Sequence, residues 1–491
     1  MFGATTEAQP PKDAPDEPSD VGTLAGKAAG TMFGRGIAVR AIGLVGTLIA
    51  ARILGPYGLG LLAMGFTINA AATVLTDGGL GRGLIRQRED PTPRQLRAVL
   101  GFQLTLGFAV ASIVTAVGLN HGTLGGVTAV MVWCVPAMSL RTPAVIISER
   151  KLQYGTQAKA DVAQAIVSNG FATVALLAGS GVWGVAVGTV LGSLTAGLMT
   201  MFLIPGGRML PLLSLRPIRD QLSYGAWVQA SLSVSLIRDQ GLNLGIAAIG
   251  GPAMLGIWSL AVRLLQVPYL LIMALSRVSF PALSKRLNAG GDAQLTVIKL
   301  LGIASVALGL VLAPLGASSS TLVPLLFGAE WKVAGEIIVP ICAVLATTGA
   351  ISIGCVAFLS YAGRVRAMLI VTIVNTITWL AITLSLLKPV GPMAVAIGFA
   401  AASTVESIGF TWIARSESVT RIGFTAIHGA MPGLTGGAIG FAVAEVLDTQ
   451  SLAAMASALL AAVVAYVASR WTNPKPTLEI IENVRRVARR A

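Results

Sequence analysis

Apolar residues run along most of this chain in blocks of about 20 or more with few charges. That is the length one helix needs to cross the ~30 Å hydrocarbon core of a bilayer. Fourteen blocks can be counted, roughly at 30–54, 58–86, 95–119, 124–148, 157–179, 182–204, 222–249, 253–280, 296–315, 333–361, 366–388, 390–414, 427–447 and 450–470. The pattern predicts an all-α polytopic membrane protein with about 14 transmembrane helices. It is least regular over 296–361, where Ser318-Ser319-Ser320 and Pro324 interrupt the apolar run. Residues 1–21 are rich in proline and acid (Pro10, Pro11, Asp13, Pro15, Asp16), so a disordered cytoplasmic tail is expected there. No basic-then-apolar order marks a cleavable leader. Residues 473–491 carry Arg485, Arg486, Arg489 and Arg490 and read as a basic tail on the membrane surface.

Composition sharpens this picture. Of 491 residues, 54% are hydrophobic and 11% charged, against ~25% charged in ordinary soluble domains. Mean hydropathy is +0.78. Charge this sparse does not cover the surfaces of two or three water-soluble domains, whereas lipid accepts apolar side chains facing outward. The net charge is +14. In a polytopic membrane protein that excess points to cytoplasmic loops beside anionic lipid rather than to nucleic acid. Nineteen basic residues from Arg82 to Arg421 fall in one set of loops, against Arg52, Lys332 and Lys388 in the other. The bias places the first set, and both termini, in the cytoplasm. Cys134, Cys342 and Cys355 are odd in number and lie in apolar stretches without a CxxC, so neither a disulfide framework nor a metal site is expected.

The chain also repeats itself. Gly55-Pro56-Tyr57-Gly58-Leu59-Gly60 returns as Gly251-Pro252-Ala253-Met254-Leu255-Gly256, an offset of 196 residues. Gly181-Val182-Trp183-Gly184-Val185-Ala186-Val187-Gly188 returns as Gly391-Pro392-Met393-Ala394-Val395-Ala396-Ile397-Gly398, an offset of 210, with the added length placed around 316–332. Both pairs sit at outer hairpins between corresponding spans. The organisation expected is an N-terminal lobe over 22–215, a second lobe over 216–414, two extra helices over 415–472 and the basic tail over 473–491. Two six-helix lobes in the same orientation imply a pseudo-two-fold along the membrane normal, a cavity between them and transport by rocking of one lobe against the other.

Ionisable side chains inside apolar blocks are costly and are candidates for function. Arg40 lies 15 residues before Gly55, Arg238 lies 13 before Gly251, and Arg263 lies 12 after it. At ~1.5 Å per residue all three sit roughly 18–22 Å below the outer hairpins. They are read as a cationic belt lining a shared cavity, with Arg35 and Arg141 as further basic candidates. Fixed guanidinium groups suit a diphosphate headgroup; an organic anion or a carboxylated polysaccharide fits the same chemistry. Asp77, Asp239 and Glu406 are the candidates for carrying a coupling H+ or Na+. Arg238–Asp239 also reads as a structural pair, and Arg35 is a possible partner of Asp77 or snorkels to lipid phosphate. Trp133, Trp183, Trp258, Trp331 and Trp379 read as interface or packing residues, and His121 and His428 as non-catalytic. With no GxxxxGK[ST], HExxH or GxSxG, neither an ATPase domain nor a catalytic site is expected.

Three segments carry a resemblance: Ala51-Arg52-Ile53-Leu54-Gly55-Pro56-Tyr57-Gly58-Leu59-Gly60, Asp77-Gly78-Gly79-Leu80-Gly81, and Leu325-Leu326-Phe327-Gly328-Ala329-Glu330-Trp331. Over about 30–415 the chain resembles Wzx-type polysaccharide flippases of the multidrug/oligosaccharidyl-lipid/polysaccharide (MOP) exporter superfamily. The resemblance implies a bacterial inner-membrane protein that moves undecaprenyl-diphosphate-linked oligosaccharide from the cytoplasmic to the periplasmic leaflet. O-antigen, capsule or exopolysaccharide would then be assembled, with a polysaccharide polymerase machinery as possible partner. It further implies that the two extra helices form a lipid-facing groove, as in lipid II flippases, and that Arg40 and Arg263 occupy spans where those flippases place functional arginines. The alternatives are a small-molecule antiporter, a membrane-embedded glycan polymerase or ligase, which the short outer loops disfavour, and a non-transporting scaffold.

Overall fold

The computed structural model of the chain describes residues 18–473, apart from 291, 415–418 and 448–449, together with 476–478. Most of the expected acidic tail and most of the basic C-terminal tail lie outside the described residues. Every regular element among the described residues is helical. Among the described residues, eleven helices are long and apolar enough to cross a membrane. The fourteen expected spans are therefore not all separate helices. Two of the eleven, Gly30–Asp77 and Leu236–Asn288, are 48 and 53 residues long. At ~1.5 Å per residue each is more than twice the ~30 Å core, so each holds two of the expected spans.

The residues packed into one unit are those up to Thr47 together with Ile68–Val234. This unit holds the two ends of α1 (Pro18–Asp77), then α2 (Leu80–Arg86), α3 (Pro93–Gly118), α4 (Gly122–Met131), α5 (Cys134–Ser139), α6 (Thr142–Arg150), α7 (Gly155–Leu177), α8 (Val182–Leu203) and the start of α9 (Arg219–Asn288). Helix α3 starts where its sequence dictates. The Gln95 N–H donates to Thr92 Oγ1 at 3.3 Å, the Thr92 N–H donates to Gln95 Oε1 at 2.8 Å, and Pro93 fills the first turn. The span expected over 124–148 is broken into α4, α5 and α6. Pro136 and Pro143 lie near the starts of α5 and α6, where a missing N–H costs least. The second break sets Arg141 at the N-cap of α6. Leu80, Leu84, Leu96, Val99, Ile146 and Ile218 form a buried cluster between α2, α3 and α6. Elsewhere apolar side chains such as Ile113, Val174 and Leu177 are left exposed, as lipid permits.

The second unit joins Leu48–Thr67 to the chain from Ser235 onward. It holds the middle of α1, the rest of α9, and α10 (Ala293–Phe327), α11 (Lys332–Tyr361), α12 (Val365–Val390), α13 (Met393–Ala414), α14 (Val419–Val446) and α15 (Gln450–Thr472). Helix α14 has 28 residues and stands outside the eleven. The serines expected to interrupt α10 do not. Ser318 Oγ donates to the Pro314 carbonyl at 2.7 Å, and Ser319 Oγ to the Gly335 carbonyl of α11 at 3.0 Å. Buried hydroxyls satisfied by backbone carbonyls are tolerated inside a helix.

Both long helices break at the repeated motif. Gly55 has φ 63° and Gly251 φ 78°, conformations glycine adopts freely, and each precedes a proline that disfavours helical geometry in the residue before it. The two motifs pack on each other reciprocally. A Cβ on Gly60 would overlap the Pro252 carbonyl, and one on Gly256 would overlap the Pro56 carbonyl. Because Gly256 and Pro252 are the repeats of Gly60 and Pro56, the contact has the form that a local two-fold axis requires. Alongside, Arg52 donates from Nε to the Leu326 carbonyl at 2.6 Å and from Nη2 to that of Leu325 at 2.8 Å. A cation there meets the negative C-terminal end of α10. The buried Trp331 indole donates to the Ala51 carbonyl at 3.3 Å.

Candidate functional site

In the first unit the basic candidates meet a carboxylate that sequence reasoning passed over. Asp161 on α7 accepts from Arg35 Nη1 at Oδ2 and from Arg141 Nη1 at Oδ1, both at 2.8 Å. Arg35 therefore does not pair with Asp77. The Asp77 carboxylate instead accepts from Gln103 Nε2 at 3.2 Å, and Gln103 Oε1 accepts from Thr142 Oγ1 at 2.6 Å. Asp77, Arg82, Gln103, Arg141, Thr142 and Glu149 line a cavity of about 290 Å³. Burial pushes the Glu149 carboxyl above its ordinary 4.5, against the opposing pull of Arg141, Arg82 and Arg35. Arg35 and Arg141 thus share one carboxylate, and with Arg82 they stand near Asp77 and Glu149, a cluster that carries both signs of charge. Arg40 belongs to this unit too; it is exposed, its Nη1 would touch a Cβ placed on Gly36, and no carboxylate partner is found for it among the described residues.

In the second unit Arg238, Asp239 and Glu406 line one cavity of about 480 Å³ on α9, α12 and α13, with Asn243, Tyr269 and Asn375. Arg238 Nε donates to Asp239 Oδ1 at 2.8 Å. Asn375 Nδ2 donates to Glu406 Oε2 at 3.2 Å. Asn243 Nδ2 donates to Thr67 Oγ1 at 3.2 Å and to Gln240 Oε1 at 3.3 Å. Trp258 and Trp379, expected as interface or packing residues, line this cavity with Phe399. Arg263 stands apart from that lining, its guanidinium 5.6 Å from the centre of the Phe66 ring, a cation–π arrangement. The sequence signals for the missed groups were present. Asp161 is the sole acid in the block 157–179, and Asn243 and Asn375 are amides inside apolar blocks.

Helices this long and apolar make the chain a multi-pass membrane protein. Its fold is similar to that of a solved structure of lipid II flippase MurJ, itself in an inward closed conformation, with a TM-score of 0.69 at 13% identity, covering 89% of this chain and 98% of that one. An inward-facing multidrug resistance MATE family transporter of the MOP superfamily matches with a TM-score of 0.51 at 18% identity, over 79% of this chain and 95% of that one. Residues 49–336, more than half of the chain, match the family described as polysaccharide biosynthesis protein, and the chain belongs to that family. The lipopolysaccharide biosynthesis protein WzxC of Escherichia coli (strain K12) is 26% identical over 324 residues, 63% of each chain. The teichuronic acid biosynthesis protein TuaB of Bacillus subtilis (strain 168) is 26% identical over 293 residues, 57% of this chain and 58% of its own. The matched region thus spans about three fifths of each relative.

Proposed function

We propose that this protein is a flippase that carries undecaprenyl-diphosphate-linked oligosaccharide from the cytoplasmic to the periplasmic leaflet of a bacterial inner membrane by alternating access. The observation that carries the reading is a set of basic side chains (Arg35, Arg40, Arg141, Arg238 and Arg263) within apolar helices of a chain matched to a polysaccharide biosynthesis family over 49–336. An anionic headgroup cannot cross hydrocarbon uncompensated, since an unpaired buried ion costs several kcal/mol or more. Fixed guanidinium groups supply that compensation, and the lipid tail stays in the bilayer. Translocation of this kind makes and breaks no covalent bond, and in this reading the protein is a transporter. Asp77, Asp239 and Glu406 are the carboxylates available to a coupling H+ or Na+, and a polysaccharide polymerase machinery is the natural consumer of the product.

The experiment is complementation of a deletion strain, reading surface polysaccharide and the accumulation of lipid-linked repeat units. Wild type restores export. Arg40→Ala, Arg238→Ala and Arg263→Ala are each expected to abolish it while the protein remains in the membrane. Normal export from all three single variants would remove the basic residues from the mechanism. Failure of wild type to relieve the accumulation would remove the flippase itself.

A further inference from the structure

The cavity on α9, α12 and α13 is unlike a phosphate site. Its charged groups are one guanidinium, Arg238, and two carboxylates, Asp239 and Glu406, so with all three ionised it carries an excess of negative charge. Its remaining polar lining consists of uncharged amides and hydroxyls. One wall is aromatic. Trp258 and Trp379 meet edge to face with centroids 6.4 Å apart and planes at 85°, and Trp379 meets Phe399 at 5.7 Å and 70°. Tyr269, 40% exposed, borders the same space.

This combination has a chemical complement. An aromatic wall covers an apolar face, while carboxylates accept from hydroxyls and amides both donate and accept. Hydroxyl donors to ionised carboxylates make the stronger, charge-assisted bonds. A pyranose ring presents both features, a C–H face and a rim of hydroxyls. A volume of about 480 Å³ lies within the ~300–1,000 Å³ of small-molecule sites. An anionic sugar would meet two carboxylates with only one cation to offset them.

We propose that this cavity seats an uncharged glycosyl residue of the transported molecule and discriminates against uronic acids, while the phosphate is met elsewhere, by basic groups such as Arg35 and Arg141. The proposal rests on the flippase reading. It assigns Asp239 and Glu406 as hydroxyl acceptors and the Trp258–Trp379–Phe399 wall as the sugar-facing surface.

The test is saturation-transfer difference NMR on the full chain in lipid nanodiscs. The probes are methyl β-D-glucopyranoside, methyl β-D-galactopyranoside, methyl N-acetyl-β-D-glucosaminide and methyl β-D-glucuronide. Saturation is expected on the ring C–H protons of at least one neutral glycoside and to be weaker on the glucuronide. Glu406→Gln should weaken the neutral ligand by about fivefold, the loss of charge assistance on one hydrogen bond, and narrow the gap to the glucuronide. Tyr269→Ala, at an exposed position, is a second variant expected to reduce the signal if Glu406→Gln does not fold. No transfer to any neutral glycoside, transfer favouring the glucuronide, or transfer unchanged in both variants would overturn the proposal. The measurement contains no translocation step. Export by wild type without glycoside binding would therefore discard this cavity alone, and glycoside binding without export would discard the flippase reading alone.

Discussion

Asp161 holds two guanidinium groups at 2.8 Å each, with side chains 16–27% exposed. Removing the shared carboxylate leaves Arg35 and Arg141 facing each other across a gap they no longer have reason to share. Breaking a fully buried pair costs about 3–5 kcal/mol, and residual exposure scales that to roughly 1–3 kcal/mol here. Asp161→Asn should therefore lower the thermal midpoint in detergent, and Arg35→Ala should cost less in the Asp161→Asn background than in wild type; equal costs would mean the pair is not coupled. Glu149 gives a pH-dependent counterpart. Its folded-state pKa is raised above 4.5 by burial, so the folded chain binds the proton more tightly than the unfolded one. Stability from this group is fully present below the unfolded value and is lost as pH rises through the folded one. Glu149→Gln should raise the thermal midpoint at pH 8 and converge with wild type near pH 4.5; a constant difference across that range would sink the assignment. What the sequence made visible at this scale was which residues are costly, because any charge stands out in an apolar block. Pairing was hidden, since Arg35 and Arg141 lie 126 and 20 residues from Asp161 and no periodicity reports which helices are neighbours.

Helices bear out the same division. The hairpin motifs were legible as a repeat because glycine before proline is a local signal, and the positive φ at Gly55 and Gly251 is its local consequence. Their packing on each other is tertiary, and only the structure reveals why the last glycine of each motif has no side chain. Gly60→Ala and Gly256→Ala each drive a methyl into a backbone carbonyl that cannot rotate away. Overpacking of this kind costs typically ~1–3 kcal/mol. Each variant should lower the thermal midpoint, whereas Gly34→Ala, with no atom near its added methyl, should leave it unchanged or raised. Equal behaviour of Gly34→Ala and Gly60→Ala would mean the carbonyl contact does not form. In α10 the sequence misled for the opposite reason. A serine run looks like a loop, yet these hydroxyls are spent on carbonyls at Pro314, Gly316 and Gly335. Only their partners, one of them on α11, distinguish a buried serine run from a turn.

For the whole molecule, orientation is a property on which composition makes a prediction and helical geometry alone makes none. Arg364 and Lys388 flank or end α12, a single helix of 26 residues, roughly 39 Å at ~1.5 Å per residue and longer than the ~30 Å core. They must therefore face opposite sides of the membrane. The bias of basic residues among the loops predicts Arg364 on the cytoplasmic side and Lys388 on the exterior side. Because Cys134, Cys342 and Cys355 are all buried, a single introduced cysteine can be read against a quiet background. In intact cells Lys388→Cys should react with a membrane-impermeant maleimide, and Arg364→Cys should react only after permeabilisation. Labelling of both from outside would deny α12 its single crossing, and the reverse pattern would invert the chain and with it the proposed direction of transport. The stake is larger than one helix. Arg141 is one short helix, α6, from Arg150, whose loop carries the same sign of charge as that of Arg364. A Lys151→Cys variant, next to Arg150 and exposed, read in the same way decides whether the Asp161-bridged arginine pair lies toward the leaflet in which a cytoplasmically made, diphosphate-bearing lipid would first appear, as the proposed substrate-receiving role demands.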